Sequence, residues 1–244
     1  MEHIFRNNED IKLAKRVNNK QPHPAKYNDK LLKTFSELIK ELSHTKESVV
    51  LDVFGGVGKA GKIKDMLDFE VTVITSELEE EWAGQGYDHG VDFPLVSDST
   101  CLPIKDNTID FVVTSPTYGN RMADSHIAKD SSIRNTYTHK LGRKLDDNNT
   151  GKMQWGENYR KTHSLVYSEV SRTLKQDGYL ILNMKDHIRN GKRVYVTDWH
   201  IQELENKGFK LLRHIKIQLK GNGFGANAHL RVPYESVLLF NKDS

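Results

Sequence analysis

Three short stretches carry residue types whose spacing could do chemistry together. The first is "LDVFGGVGKAG", residues 51–61, where Gly55, Gly56 and Gly58 follow an apolar run and let backbone approach a ligand closely. A loop after a strand and before a helix is where α/β sheets bind ligands. The glycines are not followed by a convincing dinucleotide pattern, and Gly61-Lys62 runs into Ile63, so a phosphate-cradling P-loop is rejected. The second element is acidic. Glu77 ends the apolar run "EVTVITSE", roughly 20 residues beyond the glycines, where a carboxylate can accept both hydroxyls of a ribose. Asp98, in "VSDSTCLPI", closes a third apolar run, and its carboxylate or neighbouring backbone could hold an adenine amino group. Singly, each acid reads as an exposed loop carboxylate; on successive strand ends they read as a nucleoside site. The third stretch is "FVVTSPTYGNR", residues 111–121, in which a tyrosine sits two places after a proline. It is either a turn after a buried strand or a surface that holds a flat ring.

The elements that must position these residues follow from periodicity. Residues 1–28 are polar, and the prolines of "QPHPAKYN" favour extended backbone lying against a surface. Leu31, Leu32, Phe35, Leu38, Ile39 and Leu42 recur at helical spacing behind Asn28 or Asp29 as N-cap. Strand and helix patterns then alternate. Strands are expected at "SVVLDVF", "EVTVITSE", "FPLVSD", "TIDFVVTSP", "YLILNMKDH", "FKLLRHIKIQL" and "YESVLLFNK". Helices are expected at "KIKDML", from about 158 to 174 with Gly178 in a C-terminal turn, and at "VTDWHIQELENKG" capped by Thr197 or Asp198. This rhythm predicts a seven-stranded, mostly parallel sheet with helices on both faces and an antiparallel C-terminal pair at the edge. Residues 119–157 break the rhythm, and a loop that long in a compact domain is functional or disordered.

Composition narrows the class. With 244 residues, 36% hydrophobic and 28% charged, the chain is expected to be one soluble α/β domain spanning 1–244. The net charge of +3 permits a nucleic-acid partner without demanding one. The sequence lacks a run of about 18 apolar residues and a secretory h-region, so no membrane partner and a cytoplasmic location are expected. The lone Cys101 excludes an intramolecular disulfide and a multi-cysteine zinc site, and the 11 histidines form no HxH or HxxxH cluster, so no metal is expected.

In order, "LDVFGGVG", "TSE", "SDSTCLP" and "TSPTYGN" resemble the S-adenosylmethionine-dependent methyltransferases that methylate an exocyclic amino group of a nucleic-acid base. The segment "PHPAKYNDKLLKTFSELI" is similar to the one that wraps the methionine end of the cofactor in the amino-methylating DNA enzymes, and "RTLKQDGYLILNMKDH" also resembles that family. The resemblance implies a Rossmann-like class I methyltransferase fold, S-adenosylmethionine as cofactor and DNA as partner. It further implies cofactor contacts from His23, Pro24, Lys26, Asp52, Phe54, the three loop glycines, Glu77, Asp98, Ser99 and Thr114. Ser115, Pro116 and Tyr118 take the catalytic positions. The family's usual motifs are Asp/Asn-Pro-Pro-Tyr and Ser-Pro-Pro-Tyr, so Thr117 is a departure, while serine at the first position resembles the N4-cytosine enzymes more than the N6-adenine ones.

The tetrad suits that reaction chemically. Methyl transfer to an aryl amine needs the nitrogen lone pair released from ring conjugation and aimed in line at the methyl. The Ser115 side-chain oxygen and the Pro116 carbonyl are candidate acceptors for the amine, with proline stiffening the turn. Tyr118 would stack on a base turned out of its helix. Thr117, Asn120, Arg121, Arg134, Tyr137, Arg143 and Trp155 are candidate substrate contacts, because positive charge interleaved with aromatics suits phosphate contact and base stacking. Residues 119–157 thus read as a substrate-recognition insert. Cys101 follows threonine rather than proline and is expected to be a small buried residue near the adenine, which disfavours attack on a ring carbon. An RNA amino-methyltransferase, a small-molecule methyltransferase and a non-catalytic nucleic-acid-binding module of the same fold are the alternatives.

Overall fold

The computed structural model describes residues 3–7, 11–24, 27–119, 136–219 and 228–242. Its sheet holds β1 (Glu47–Asp52), β2 (Glu70–Glu77), β3 (Phe93–Val96), β4 (Ile109–Thr114), β5 (Leu174–Met184), β8 (Phe209–Gln218) and β9 (Tyr234–Lys242). The strand order is β3-β2-β1-β4-β5-β9-β8, parallel from β3 to β5 and antiparallel across β5-β9 and β9-β8. The expected seven-stranded mixed sheet is therefore present. Between β5 and β8 lies a small hairpin of β6 (His187–Arg189) and β7 (Lys192–Val194), which the sequence pattern did not indicate.

Each central strand is apolar on both faces, as a sheet covered on both sides requires. Val50, Phe111, Val113, Ile181, Val237 and Leu239 pack with Leu32, Phe35 and Ile39 of α1 (Asp29–Leu42) in one layer. The alternate residues Leu51, Val112, Leu180, Leu182, Leu238 and Phe240 pack in the other layer. There they meet Val166, Tyr167 and Val170 of α4 (Glu157–Thr173) and Val196 and Leu204 of α5 (Val196–Asn206). Asn28 caps α1 as expected, its side chain accepting from the Leu31 amide at 2.8 Å.

Several local expectations change. α4 ends at Thr173 and β5 begins at Leu174, so Gly178 lies within a strand and makes no helix-terminal turn. A Cβ there would stand 2.9 Å from the Leu174 side chain and 3.0 Å from the Lys175 carbonyl, beside the register shift between β4 and β5, so the glycine answers crowding. α5 has no side-chain cap of its own. Instead the buried Asp186, just beyond β5, accepts the Thr197 amide at 2.9 Å. The segment after the glycine loop is a 3-10 helix, Lys59–Met66, rather than an α-helix. The N-terminal segment covers the outer edge of β3: Val96 donates to the Lys12 carbonyl, Ala14 donates to the Pro94 carbonyl, both at 2.8 Å, and Ile4 and Phe5 are buried.

Strand order reverses between β1 and β4, so the carboxyl ends of those strands flank a crevice of the kind that binds ligands in open α/β sheets. The glycine loop leaves β1 there, and Ser115 to Tyr118 leave β4.

Candidate active site

A cleft of about 340 Å³ opens over these strand ends. One wall is the glycine loop, with Phe54, Gly55 and Gly56. Gly56 has φ 51°, and a Cβ there would meet the His23 ring at 3.3 Å, so both conformation and space favour glycine. His23 and Pro24 line the same wall, with His23 set edge-on to Trp82 at 4.4 Å. Gly58 does not reach the cleft. Its φ is 76°, and a Cβ would lie 2.4 Å from the Gly86 Cα, so it lets the loop pack on the turn at 86–89.

Glu77 and Asp98 stand on the second wall, at the ends of β2 and β3. Glu77 accepts the Gly56 amide at 2.9 Å and the Glu79 amide at 3.0 Å, one on each oxygen, and burial pushes its carboxyl up to about 7. Each oxygen keeps lone-pair capacity toward the cleft. Asp98 holds Thr100 through one oxygen and accepts Asn148 Nδ2 at 3.1 Å on the other. Ser99 also lines the cleft while its hydroxyl donates to the Val53 carbonyl. Two carboxylates, a glycine cradle and apolar side chains between them fit a nucleoside with a ribose diol and an exocyclic amine.

Asp52 and Thr114 lie behind the site. The Asp52 carboxylate is fully buried and accepts from Tyr27 Oη at 2.8 Å, Thr114 Oγ1 at 2.8 Å and the Phe54 amide at 3.0 Å. It joins the ends of β1 and β4 to the segment ahead of α1, and burial raises its carboxyl to about 6. Both residues shape the cleft floor from below. Cys101 is exposed, contrary to the buried placement expected beside an adenine.

The tetrad forms the opposite end. Ser115, Thr117 and Tyr118 line the cleft with Asn183 and Glu235, two residues the motifs did not single out. Asn183 Nδ2 donates to Ser115 Oγ at 3.1 Å and to Tyr118 Oη at 3.3 Å. Burial raises the Tyr118 hydroxyl well above the ordinary tyrosine range, so it stays protonated. Pro116 is buried in the turn. Thr117 Oγ1 donates to Thr150 Oγ1 at 3.0 Å, a bond that a second proline could not make. The Thr117 carbonyl accepts from Tyr159 Oη at 2.6 Å. That single hydroxyl proton being spent, His200 Nε2 must donate to Tyr159 at 3.0 Å, and His200 Nδ1 accepts from Tyr167 at 2.5 Å. Burial holds His200 far below the usual histidine range, so the chain is neutral and acts as a prop for the tetrad. Gly119 closes the turn at φ 67°, its carbonyl accepting the Trp155 amide at 2.7 Å.

The described part of the insert, 136–157, packs against the region after β2 that contains α2 (Glu80–Ala83), and it carries α3 (Tyr137–Leu141) and a 3-10 turn, Thr150–Lys152. Buried Glu79 accepts the Asp146 amide at 2.8 Å and Asn149 Nδ2 at 3.0 Å, and it pairs with Arg143 at 2.8 Å. Arg143 also grips Glu81 with two nitrogens, at 2.8 and 2.6 Å. Arg143 is thus paired with acids on the turn after β2 while its side chain stays 45% exposed. Tyr137 lies tilted against the His23 ring, with centroids 5.1 Å apart, and lines the cleft. Trp155 lies outside the cleft, between Tyr159 and Trp199, where it buttresses Gly119. Lys26, Asn120, Arg121 and Arg134 lie outside the described residues.

The sequence profile of the DNA methylase family, N6/N4 type, matches residues 109–244, from β4 through the tetrad to β9. The chain belongs to the DNA methylase family. S-adenosylmethionine is the cofactor expected of a member of this family. Among curated proteins nothing matches. Solved structures share the fold at low identity. The [4+2]-cyclase SpnF aligns at a TM-score of 0.55 and 13% identity over 95% of this chain and 89% of that one. A putative sarcosine dimethylglycine methyltransferase from Galdieria sulphuraria aligns at 0.54 and 10% over 91% and 92%. TrmN from Thermus thermophilus aligns at 0.50 and 15% over 87% of this chain and 48% of TrmN. These likenesses carry the fold and nothing finer. Among the described residues, no group of His, Cys, Asp and Glu is arranged to hold a metal ion, and no helix is long and apolar enough to cross a membrane.

Proposed function

We propose that the chain, as one methyltransferase domain, transfers the methyl group of S-adenosylmethionine to the exocyclic amino group of a DNA base, cytosine N4 ahead of adenine N6. The observation that carries this reading is the shared cleft: Ser115 and Tyr118 open into the space that Gly56, Glu77 and Asp98 line. When bound, the cofactor supplies a methyl group on a positively charged sulfur. Glu77 accepts the ribose hydroxyls, Asp98 holds the adenine, and His23 and Pro24 close over the methionine end. Lys26 belongs to that closing segment. Ser115 Oγ and the Pro116 carbonyl accept from the target amine and turn its lone pair out of conjugation. Tyr118 stacks on the base, and Asn183 fixes the tyrosine and serine relative to each other. Serine at the first tetrad position supports cytosine N4. DNA contacts are also assigned to Asn120, Arg121 and Arg134.

The test is methyl transfer from labelled S-adenosylmethionine to duplex DNA, to RNA and to neither. Label in DNA supports the reading, whereas label in RNA alone moves the substrate to the other polymer. No transfer to either would remove the assignment.

A further inference from the structure

Among the described residues, two buried acceptor atoms at the tetrad end of the cleft have no hydrogen-bond partner. Asn183 is 2% exposed and makes both bonds to the tetrad through Nδ2, leaving Oδ1 without a described partner. Glu235 Oε2 is buried and has none among the described residues either. Both residues line the cleft together with Ser115 and Tyr118. Their proximity follows from sheet register. Asn183 of β5 pairs with Val237 of β9, and Glu235 lies two residues before Val237, so alternation puts Asn183 and Glu235 on one face.

A buried acceptor with no partner is destabilising, so two that line one ligand cleft point to donors carried by the ligand. An exocyclic amine carries two N–H groups. A hydroxyl oxygen has two lone pairs, so Ser115 Oγ, which accepts from Asn183, can still take one amine hydrogen. The Glu235 carboxylate is then the group with open capacity for the amine's proton.

We propose that Glu235 is a catalytic residue of methyl transfer, taking the proton that the target amine sheds once Ser115 Oγ and the Pro116 carbonyl have aimed its lone pair at the methyl. This rests on the amino-methyltransferase reading above. The amine nitrogen gives its lone pair to the methyl carbon as the C–S bonding pair returns to sulfur. The nitrogen, now cationic, loses one proton to Glu235 Oε2, and the carboxyl later releases it to solvent. No base is needed before attack, because the N–H becomes strongly acidic only once the N–C bond forms.

The surroundings suit that role. Burial raises the Glu235 carboxyl above the ordinary range, while the Lys185 charge, just past the end of the partner strand, pulls it back. Tyr118 faces it from the tetrad, its hydroxyl pushed up in part by the Glu235 charge, and Arg231 acts on Lys185 from the approach to β9. A carboxylate so placed is basic enough to take a proton and is held near one cation.

The experiment compares wild type, Glu235→Gln and Glu235→Asp in the full chain, by single-turnover methylation across pH at saturating labelled S-adenosylmethionine, with cofactor affinity measured by calorimetry. Glu235→Gln is expected to bind cofactor as wild type does, to lose about 100-fold in methyl-transfer rate and to lose the acid limb of the pH profile. Glu235→Asp is expected to recover part of the rate and the limb. A Gln variant within about twofold of wild type, or one slowed with the acid limb unchanged, overturns the proposal while leaving the amino-methyltransferase reading intact. A wild-type protein that methylates no amine in DNA or RNA overturns both.

Discussion

Asn183 Nδ2 lies 3.1 Å from Ser115 Oγ and 3.3 Å from Tyr118 Oη, so one amide on β5 holds two tetrad side chains in register. The tetrad is thereby a pre-set surface on a rigid strand pair. Ser115→Ala and Tyr118→Ala are expected to lower kcat/KM by about ten- to a hundredfold, matching the 1–3 kcal/mol of a lost stacking or acceptor contact. Cofactor affinity should stay nearly unchanged, because the cofactor wall is built from other residues. Calorimetry beside steady-state kinetics checks the split, and an equal loss of cofactor binding in both variants would contradict the assigned roles.

Glu77 supplies a pH dependence. Burial pushes its carboxyl up to about 7, so in the free protein it is largely protonated below that pH and ionised above it. A ribose diol is bound best by the ionised form. Cofactor affinity is therefore expected to tighten about tenfold from about pH 6 to about pH 8, following the ionised fraction. Glu77→Gln should weaken binding and flatten the dependence. Isothermal titration at several pH values reads both effects.

Asp52 governs stability. Alanine there strands the donors of Tyr27, Thr114 and Phe54 in a buried place, at about 1–3 kcal/mol for each donor left unpaired. Asp52→Ala should lower unfolding free energy by about 3 kcal/mol or more and weaken cofactor binding through the displaced loop. The pH sign follows from its carboxyl being raised from 3.8 to about 6. The folded state holds the proton more tightly, so this contribution is complete below the unfolded value and lost as pH rises through about 6. Denaturant melts of wild type and Asp52→Asn across that window should differ in slope, the variant lacking the decline.

Arg143 ties residues 136–157 to the acids that follow β2. It is tied to Glu79 and Glu81, so Arg143→Ala should loosen 136–157 and weaken cofactor affinity. The salt dependence of DNA binding should keep its slope, since no phosphate contact is removed. A slope reduced by about one would instead return Arg143 to the polyanion surface.

The strands were legible because residues such as Val50 and Leu51, or Val112 and Val113, are apolar on both faces and bounded by polar or glycine turns. The glycine loop and the acids after β2 and β3 were legible for a related reason: their roles are fixed by position along one strand end. Asn183, Glu235, Tyr27 and Tyr159 were not, because each reaches the site through pairing or packing across 25 to 68 residues of sequence. Gly178 was misread since a glycine after a helical pattern resembles a cap, and only the crowding beside β4 shows otherwise. The pairing of Arg143 was not legible, because its charge could be counted while its partner Glu79, a buried acid without an apolar period to mark it, could not. Thr117, the odd letter in the tetrad, is explained by its bond to Thr150.

The most direct measurement digests DNA and RNA after incubation with the protein and isotopically labelled S-adenosylmethionine, and identifies labelled nucleosides by mass spectrometry. The account predicts N4-methylcytosine in DNA, with N6-methyladenine as the alternative amine. Label on a ring carbon, on phosphate or on no nucleoside would contradict it.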